Sequence, residues 1–294
     1  MNNSTLNQLA VQERMRREIL HKSDLIPPLP DLVVRLLAIL NKQETEPHDL
    51  EELMQNDQVL VAKMLAMVNS PFYGLSRSIV SIREAVMVLG FRGVRSLVLA
   101  TSTARFLQRD YTIYGHSEKG LWLHAASVAT GAKVIARSAG SSAEVAEQLF
   151  VAGLLHDIGK LLLSPYLAER QFALQPDEDL EAAERRLIGL DHTEAGALVV
   201  AKWNLASEIQ EIIKGHHGDA ACAAPSRSVA IVRLADAIAH QRSLGYLPGK
   251  APVVDTHASD LEVLAFDDDR WTVLSEEVAA RMAEGAAALS KLAS

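Results

Sequence analysis

Apolar residues recur three and four positions apart along almost the whole chain, and no stretch alternates with a period of two over a useful length. Side chains with that spacing share one face of a helix, so the pattern predicts an all-α protein, a multi-helix bundle. Residues 5–21 set Leu6, Leu9, Ala10, Met15, Ile19 and Leu20 among charges, an amphipathic helix for docking on the body or on a partner. Pro27, Pro28 and Pro30 then impose an extended segment, because proline lacks an amide hydrogen and disfavours helix in the residue before it. Pro30 and Asp31 open the helix LVVRLLAIL (32–40), Pro47 to Asp49 open the next, and Asp57 caps a third that runs through Val68.

Ser70-Pro71 ends the third helix, and Phe72 to Gly74 make a turn. Ser81 with Glu84 three residues on predicts a capping box, Gly90 closes that short helix, and another runs from about Arg92 to Leu107. Leu121, His124, Val128, Gly131 and Ile135 form one stripe of a helix that extends to Arg137. After a turn at 140–142, a further helix leads into LFVAGLLHDIGK (149–160), where Gly159 is expected to stop it in the left-handed region, with His156 and Asp157 in its last turn. Residues 175–186, acidic and then basic, read as a solvated loop and helix start. Asp191 is the expected cap of a helix whose first residue is His192, and IQEIIKGHHG puts His216 and His217 at a helix end. Asp236 lies in line with Val229, Val232 and Ala239, and residues 261–292 predict one or two amphipathic helices.

Composition narrows the classes. With 294 residues, 49% hydrophobic and 22% charged, the chain has ample material for a core, and its net charge of −8 argues against a nucleic-acid partner held by a broad basic face. Arg14, Arg16 and Arg17 read as a solvated basic face. Cys222 is the only cysteine, which excludes an internal disulfide and points to a reducing compartment. The N-terminus lacks the form of a secretory signal, and no stretch approaches the ~18 apolar residues of a bilayer span, so a cytoplasmic protein without a membrane partner is expected. There is no internal repeat. The weak boundary TIYGHSEKG (112–120) divides the chain into an N-terminal helix (1–21), a first helical half (22–115), a second half (116–250) and a helical tail (251–294).

The candidate chemistry lies in the second half. His124, His156, Asp157, His192, His216, His217 and Asp236 nearly all fall at helix ends or on apolar stripes, where a carboxylate is costly unless paired, hydrogen-bonded or bound to a cation. Imidazole and carboxylate suit iron, manganese, zinc or nickel, and the missing thiol partner argues against a structural zinc finger. The alternative is a set of buried polar residues that bond to one another.

The order histidine, HD doublet, distant aspartate resembles the HD superfamily of metal-dependent phosphohydrolases. By that resemblance His124, His156, Asp157 and Asp236 match the four ligands of one divalent transition metal. His192, His216 and His217 match the positions that complete a second site in the two-metal HD-GYP branch, bridged by Asp157. Lys160 matches the lysine that faces the substrate phosphate there, so Asp157 and Lys160 are the catalytic candidates if the protein is an enzyme.

The segments LIPPLPDLVVRLLAIL, NDQVLVAKMLAMVNSPFYG, SIREAVMVLGFRGVRSLVLA and HTEAGALVVAKWNLASEIQEIIKGHH are similar to the HDOD domain, the HD-related output domain of bacterial signalling, over about residues 22–245. NSPFYG is the most specific word. HDOD proteins are generally regulatory, many having lost the metal ligands that this chain keeps. The chain also departs from HD-GYP, since His217 is followed by Gly218 rather than glutamate and AACAAP (220–225) stands where the GYP signature belongs; Gly245 to Pro248, GYLP, reads as a chance echo.

The resemblance therefore implies a bacterial signal-transduction protein with one or two metal ions, engaging a signalling protein or a nucleotide ligand. The alternatives are a metal-dependent phosphohydrolase or phosphodiesterase acting on a nucleotide or cyclic dinucleotide, and a scaffold whose polar cluster holds helices in register. No oligomeric state follows from these features.

Overall fold

A computed structural model describes residues 10, 12–19, 26–40, 44–55, 57–70, 73–170, 172–175, 178–217, 225–252, 254 and 258–292. Among them there is no strand, and the protein is all-α as expected. Leu6, Leu9, Leu20, the Pro71-Phe72 part of the turn, and Gly218 to Ala224 with Cys222 lie outside the described residues.

Helix α1 (12–19) docks on the body: Met15 and Ile19 are buried, Gln12 donates to the Arg186 carbonyl, and Arg16 pairs with Glu194 at 3.4 Å. The first half is built from α2 (Asp31–Leu40), α3 (Pro47–Met54), α4 (Gln58–Val68) and α5 (Ile82–Leu107). Their starts follow the capping chemistry of the sequence, Asp57 accepting from the Leu60 amide at 2.9 Å and Ser81 from the Glu84 amide at 3.1 Å. The box at Ser81 is shifted by one residue, because Glu84 accepts from the Val80 amide and not from Ser81. Asn69 clamps the chain after the turn, with its side-chain amide bonded to both the N–H and the C=O of Ile79 at 2.7 Å.

The short helix and its successor form one element, α5, kinked at Gly90 (φ 70°, ψ 172°). By length and composition α5 would reach across a membrane, against the expectation that no stretch would, and most of its apolar window is buried inside the protein.

The second half comprises α6 (Gly120–Ser138), α7 (Ala143–Leu155), α8 (Lys160–Ala168), α9 (Leu180–Ile188), α10 (His192–Lys202), α11 (Ser207–Gly215) and α12 (Arg227–Gln241). Helix α6 is the axis, packed against α7, α12 and the C-terminal α14 (Asp268–Leu292), with α13 (Ala258–Leu264) on α12. The tail is thus two helices, and Val278, Met282 and Ala286 of α14 are buried. Residues 112–120 lie against 245–250, joined by a bridge between His116 and Tyr246.

Candidate metal centre

The wholly buried run Leu149–Leu155 ends α7, and His156 is its C-cap. The backbone does not reverse there. Gly159 is right-handed (φ −63°, ψ −27°) and α8 begins at once, so the left-handed stop expected from the sequence does not occur. The glycine is needed for another reason. A Cβ on Gly159 would lie 1.9 Å from the His192 carbonyl oxygen and 2.5 Å from the Gly196 nitrogen, so only a bare backbone lets the HD turn touch the start of α10. That contact brings His192 to Asp157.

All seven sequence-predicted ligands converge. Asp157 Oδ2 lies 3.4 Å from His156 Nε2 and 3.7 Å from His124 Nε2; Asp157 Oδ1 lies 3.4 Å from His192 Nε2 and 3.9 Å from His216 Nε2. Asp236 Oδ1 is 3.0 Å from His124 Nε2 and 3.6 Å from His156 Nε2. Ligand atoms of Asp157, His192, His216 and His217 all fall within 4.8 Å of one another, as do those of His124, His156 and Asp157. Asp157 belongs to both sets, one oxygen toward each. Atoms sharing a cation at ~2.0–2.3 Å sit about 3–3.5 Å apart, so these spacings suit a metal.

The outer atoms of the histidines are held. His156 Nδ1 donates to the Gly153 carbonyl at 2.7 Å, His216 Nδ1 to the Ile213 carbonyl at 2.6 Å, and His192 Nδ1 to Glu184 at 2.7 Å. Since a carbonyl only accepts, these bonds leave Nε2 facing the centre, the arrangement that fixes a metal-binding tautomer. The inner atoms have nothing. Nε2 of His124, His156, His192 and His216, together with Asp157 Oδ1 and Asp236 Oδ1, are buried without a hydrogen bond. Buried polar atoms are normally bonded, so a cluster of orphans aimed at one another is the signature of a group that a cation would satisfy.

The electrostatics agree. Burial lowers His124 to about 4, outweighing Asp236, and lowers His216 to about 3, helped by His156 and His192, so both are neutral near pH 7. Burial would raise both carboxyls, but Lys160 and His156 hold Asp157, and His240 and His124 hold Asp236, well below the usual carboxylate range. Burial opposes protonation of His192, yet Glu184 raises it to about 9. Lys160 itself is buried and bonds Asp157 Oδ2 at 2.7 Å, with its Nζ 5.3 Å over the Tyr114 ring.

Four features escaped sequence reasoning. Glu184, read as part of a solvated helix start, is fully buried and accepts from Tyr114 Oη (2.8 Å), the His192 amide (2.8 Å) and His192 Nδ1. Glu181, one turn earlier, lies 3.3 Å from His217 Nε2. His240 stands 3.2 Å from Asp236 Oδ1, and its spacing four residues after Asp236 was the available signal.

The fourth is the pair Gly245-Tyr246, which packs beside the centre. Tyr246 stacks on His116 at 4.3 Å and meets His124 edge-on at 5.3 Å, and Gly245 (φ 86°) lies so close that a Cβ would be 2.1 Å from the Gly120 carbonyl. This contact seats residues 245–246 against the first turn of α6, which carries His124. A cleft of about 600 Å³ lies beside the centre, lined in part by Lys160, His217 and His240.

The fold and its buried histidine–aspartate centre define an all-α bundle with groups that can bind a metal. The HDOD domain matches residues 26–218, and the chain belongs to the HDOD family. An HDOD domain protein of unknown function from Geobacter sulfurreducens shares the structure with a TM-score of 0.72 at 27% identity, over 97% of this chain and 99% of that one. A candidate phosphohydrolase from Shewanella amazonensis SB2B has the same fold, with a TM-score of 0.73 at 24% identity over 94% and 98% of the two chains.

Two curated sequences are similar over part of their length. An uncharacterized protein of Treponema pallidum is 25% identical over 209 residues, 69% of this chain and 40% of that protein. The cyclic-di-AMP phosphodiesterase PgpH of Listeria monocytogenes is 32% identical over 100 residues, 34% of this chain and 14% of that protein. The chain thus spans less than half the length of either relative.

Proposed function

We propose that this HDOD protein is a bacterial regulatory module that retains an HD-type centre for one or two divalent transition metals, and that occupancy of the centre sets the state read by a signalling partner. The observation that carries this reading is the set of buried, unbonded donor atoms on His124, His156, Asp157, His192, His216 and Asp236 that face one another. One ion would take His124, His156, Asp157 and Asp236; a second would take Asp157, His192, His216 and His217. Iron, manganese, nickel or zinc suits a mixture of imidazole and carboxylate. Ion binding ties α6, α7, α10, α11 and α12 together, which is how a small ligand stabilises one arrangement of helices.

A second reading, metal-dependent hydrolysis of a phosphoester or nucleotide, is favoured by the cleft that reaches Lys160, His217 and His240. Bound metals supply an acidified water and a clamp for phosphate oxygens. In that reading Asp157 positions the pair and Lys160 faces the phosphate.

Metal analysis of protein purified without added metal tests the first reading. Wild type should carry at least one equivalent of a transition metal and His156→Ala should lose it; a wild type without stoichiometric metal sinks the proposal. Metal bound with no phosphodiester turnover supports regulation. Turnover abolished by Asp157→Ala establishes the enzymatic alternative.

A further inference from the structure

Asp236 Oδ1 faces three imidazoles, with His124 Nε2 at 3.0 Å, His240 Nε2 at 3.2 Å and His156 Nε2 at 3.6 Å. His240 is not one of the seven positions assigned to the centre above. It lies one helical turn after Asp236 on α12, so the two side chains leave the same face of that helix. Its side chain is buried, yet Asp236 Oδ1 has no hydrogen bond, so the 3.2 Å approach lacks the alignment of a bond that would explain it. The ligand atoms of His124, Asp236 and His240 all lie within 4.8 Å of one another.

The surroundings fix these rings in place. His124 and His240 have ring centres 4.9 Å apart, and Tyr246 packs against both, at 5.3 Å and 5.2 Å, while itself stacked on His116. His240 also lines the cleft, so a cation beside it would keep open positions toward solvent or a ligand. Two imidazoles and one carboxylate on one side, with open positions on the other, form a set known to hold a divalent transition metal.

We propose that His240 is a metal ligand, joining His124 and Asp236 on the α6–α12 flank in holding the ion assigned above to His124, His156, Asp157 and Asp236. The inference rests on the metal-binding reading above. It draws this ion toward Asp236 and gives it a ligand, His240, that the set of Asp157, His192, His216 and His217 lacks, so loss of His240 reaches one flank and not the other.

Cobalt(II) titration of metal-free wild type and His240→Gln tests the proposal. Glutamine keeps an amide donor for Asp236 and removes the imidazole, so a residue that merely positioned Asp236 would be spared. The variant should lose one equivalent, or bind it more than about 100-fold more weakly, beyond the 10–100-fold cost usual for outer partners. The other equivalent should be unchanged. The ligand-field spectrum should lose the contribution of one imidazole.

Wild-type stoichiometry, affinity and spectrum in a folded His240→Gln overturn this proposal alone; a wild type that binds no cobalt overturns the metal-binding reading with it. Should the variant not fold, the crystal structure of metal-loaded wild type decides. His240 Nε2 within about 2.3 Å of the ion supports the assignment, and a separation beyond about 3 Å overturns it.

Discussion

The two halves of the bundle handle buried polar groups in opposite ways. In α2 to α5 the interior is closed by residues such as Leu36, Leu50, Met54, Met67, Val68 and Leu97, and the buried Ser102 and Thr103 hydroxyls bond to carbonyls of their own helix. Both of those hydroxyls are met within four residues of the chain. In α6 to α12 the interior holds His124, His156, Asp157, Lys160, Glu184, His192, His216 and Asp236, drawn from six different segments of the chain, and several of their atoms are bonded to nothing. A core that leaves such atoms unmet gives up stability that an apolar core would keep. The first half is therefore a self-sufficient frame, and the second is arranged for something to be added.

The strongest way to break this contrast is to remove one polar anchor and one apolar anchor and compare. Glu184→Ala strips the partner from His192 Nδ1, the His192 amide and Tyr114 Oη, and is expected to cost roughly 3–5 kcal/mol by urea denaturation, with loss of metal on the His192 flank. Leu36→Ala, in the first half, should cost about 2–5 kcal/mol through its cavity while metal content stays at the wild-type level. Equal metal content in the two variants would erase the distinction.

A smaller effect separates the loaded and empty protein. Free metal at a hundredfold excess over its dissociation constant should add about 2.7 kcal/mol per site, seen as a rise in Tm that a chelator reverses. His156→Ala should show a much reduced rise, whereas Leu36→Ala should show it in full. A chelator that leaves the wild-type Tm unchanged would contradict the idea that the second half waits for an ion.

The smallest effect per step is that of pH. His192 is raised to about 9, so its contribution to the metal-free fold is fully present below about 6.5, its unfolded value, and is lost as pH rises through 9. His124 and His216 run the other way: held neutral down to about 4 and about 3, they bind protons more readily when unfolded, so stability falls as pH drops below about 6.5. The metal-free protein should thus be most stable near pH 6.5. Metal binding must displace the His192 Nε2 proton, so affinity on that flank should rise about tenfold per unit from pH 7 to 9 and then level off. A flat affinity over that range would remove His192 from the ligands.

Much of the frame could be read from local pattern. Asp57, Ser81 and Asp191 cap the helices their positions predicted, since a cap acts within three residues of itself. Glu184 could not be read that way. It sits on α9 between Ala183 and the Arg185-Arg186 pair, where a charged side chain ordinarily faces water. Gly159 was singled out for the wrong property, because a dihedral preference is local and the need for a missing Cβ depends on a second backbone brought up from α10.

By itself the sequence determined the helical class, most helix starts and the seven side chains with the right chemistry, because periodicity, capping and residue type act over short spans. Tertiary structure alone decided that those seven meet and that one oxygen of Asp157 faces each set. It also decided that Glu184 is sealed behind His192, that His240 shares Asp236, and that Gly245-Tyr246 lies against the helix carrying His124. These are contacts between segments far apart in the chain, and their geometry follows from how closely the backbones pack, which no spacing along the chain records.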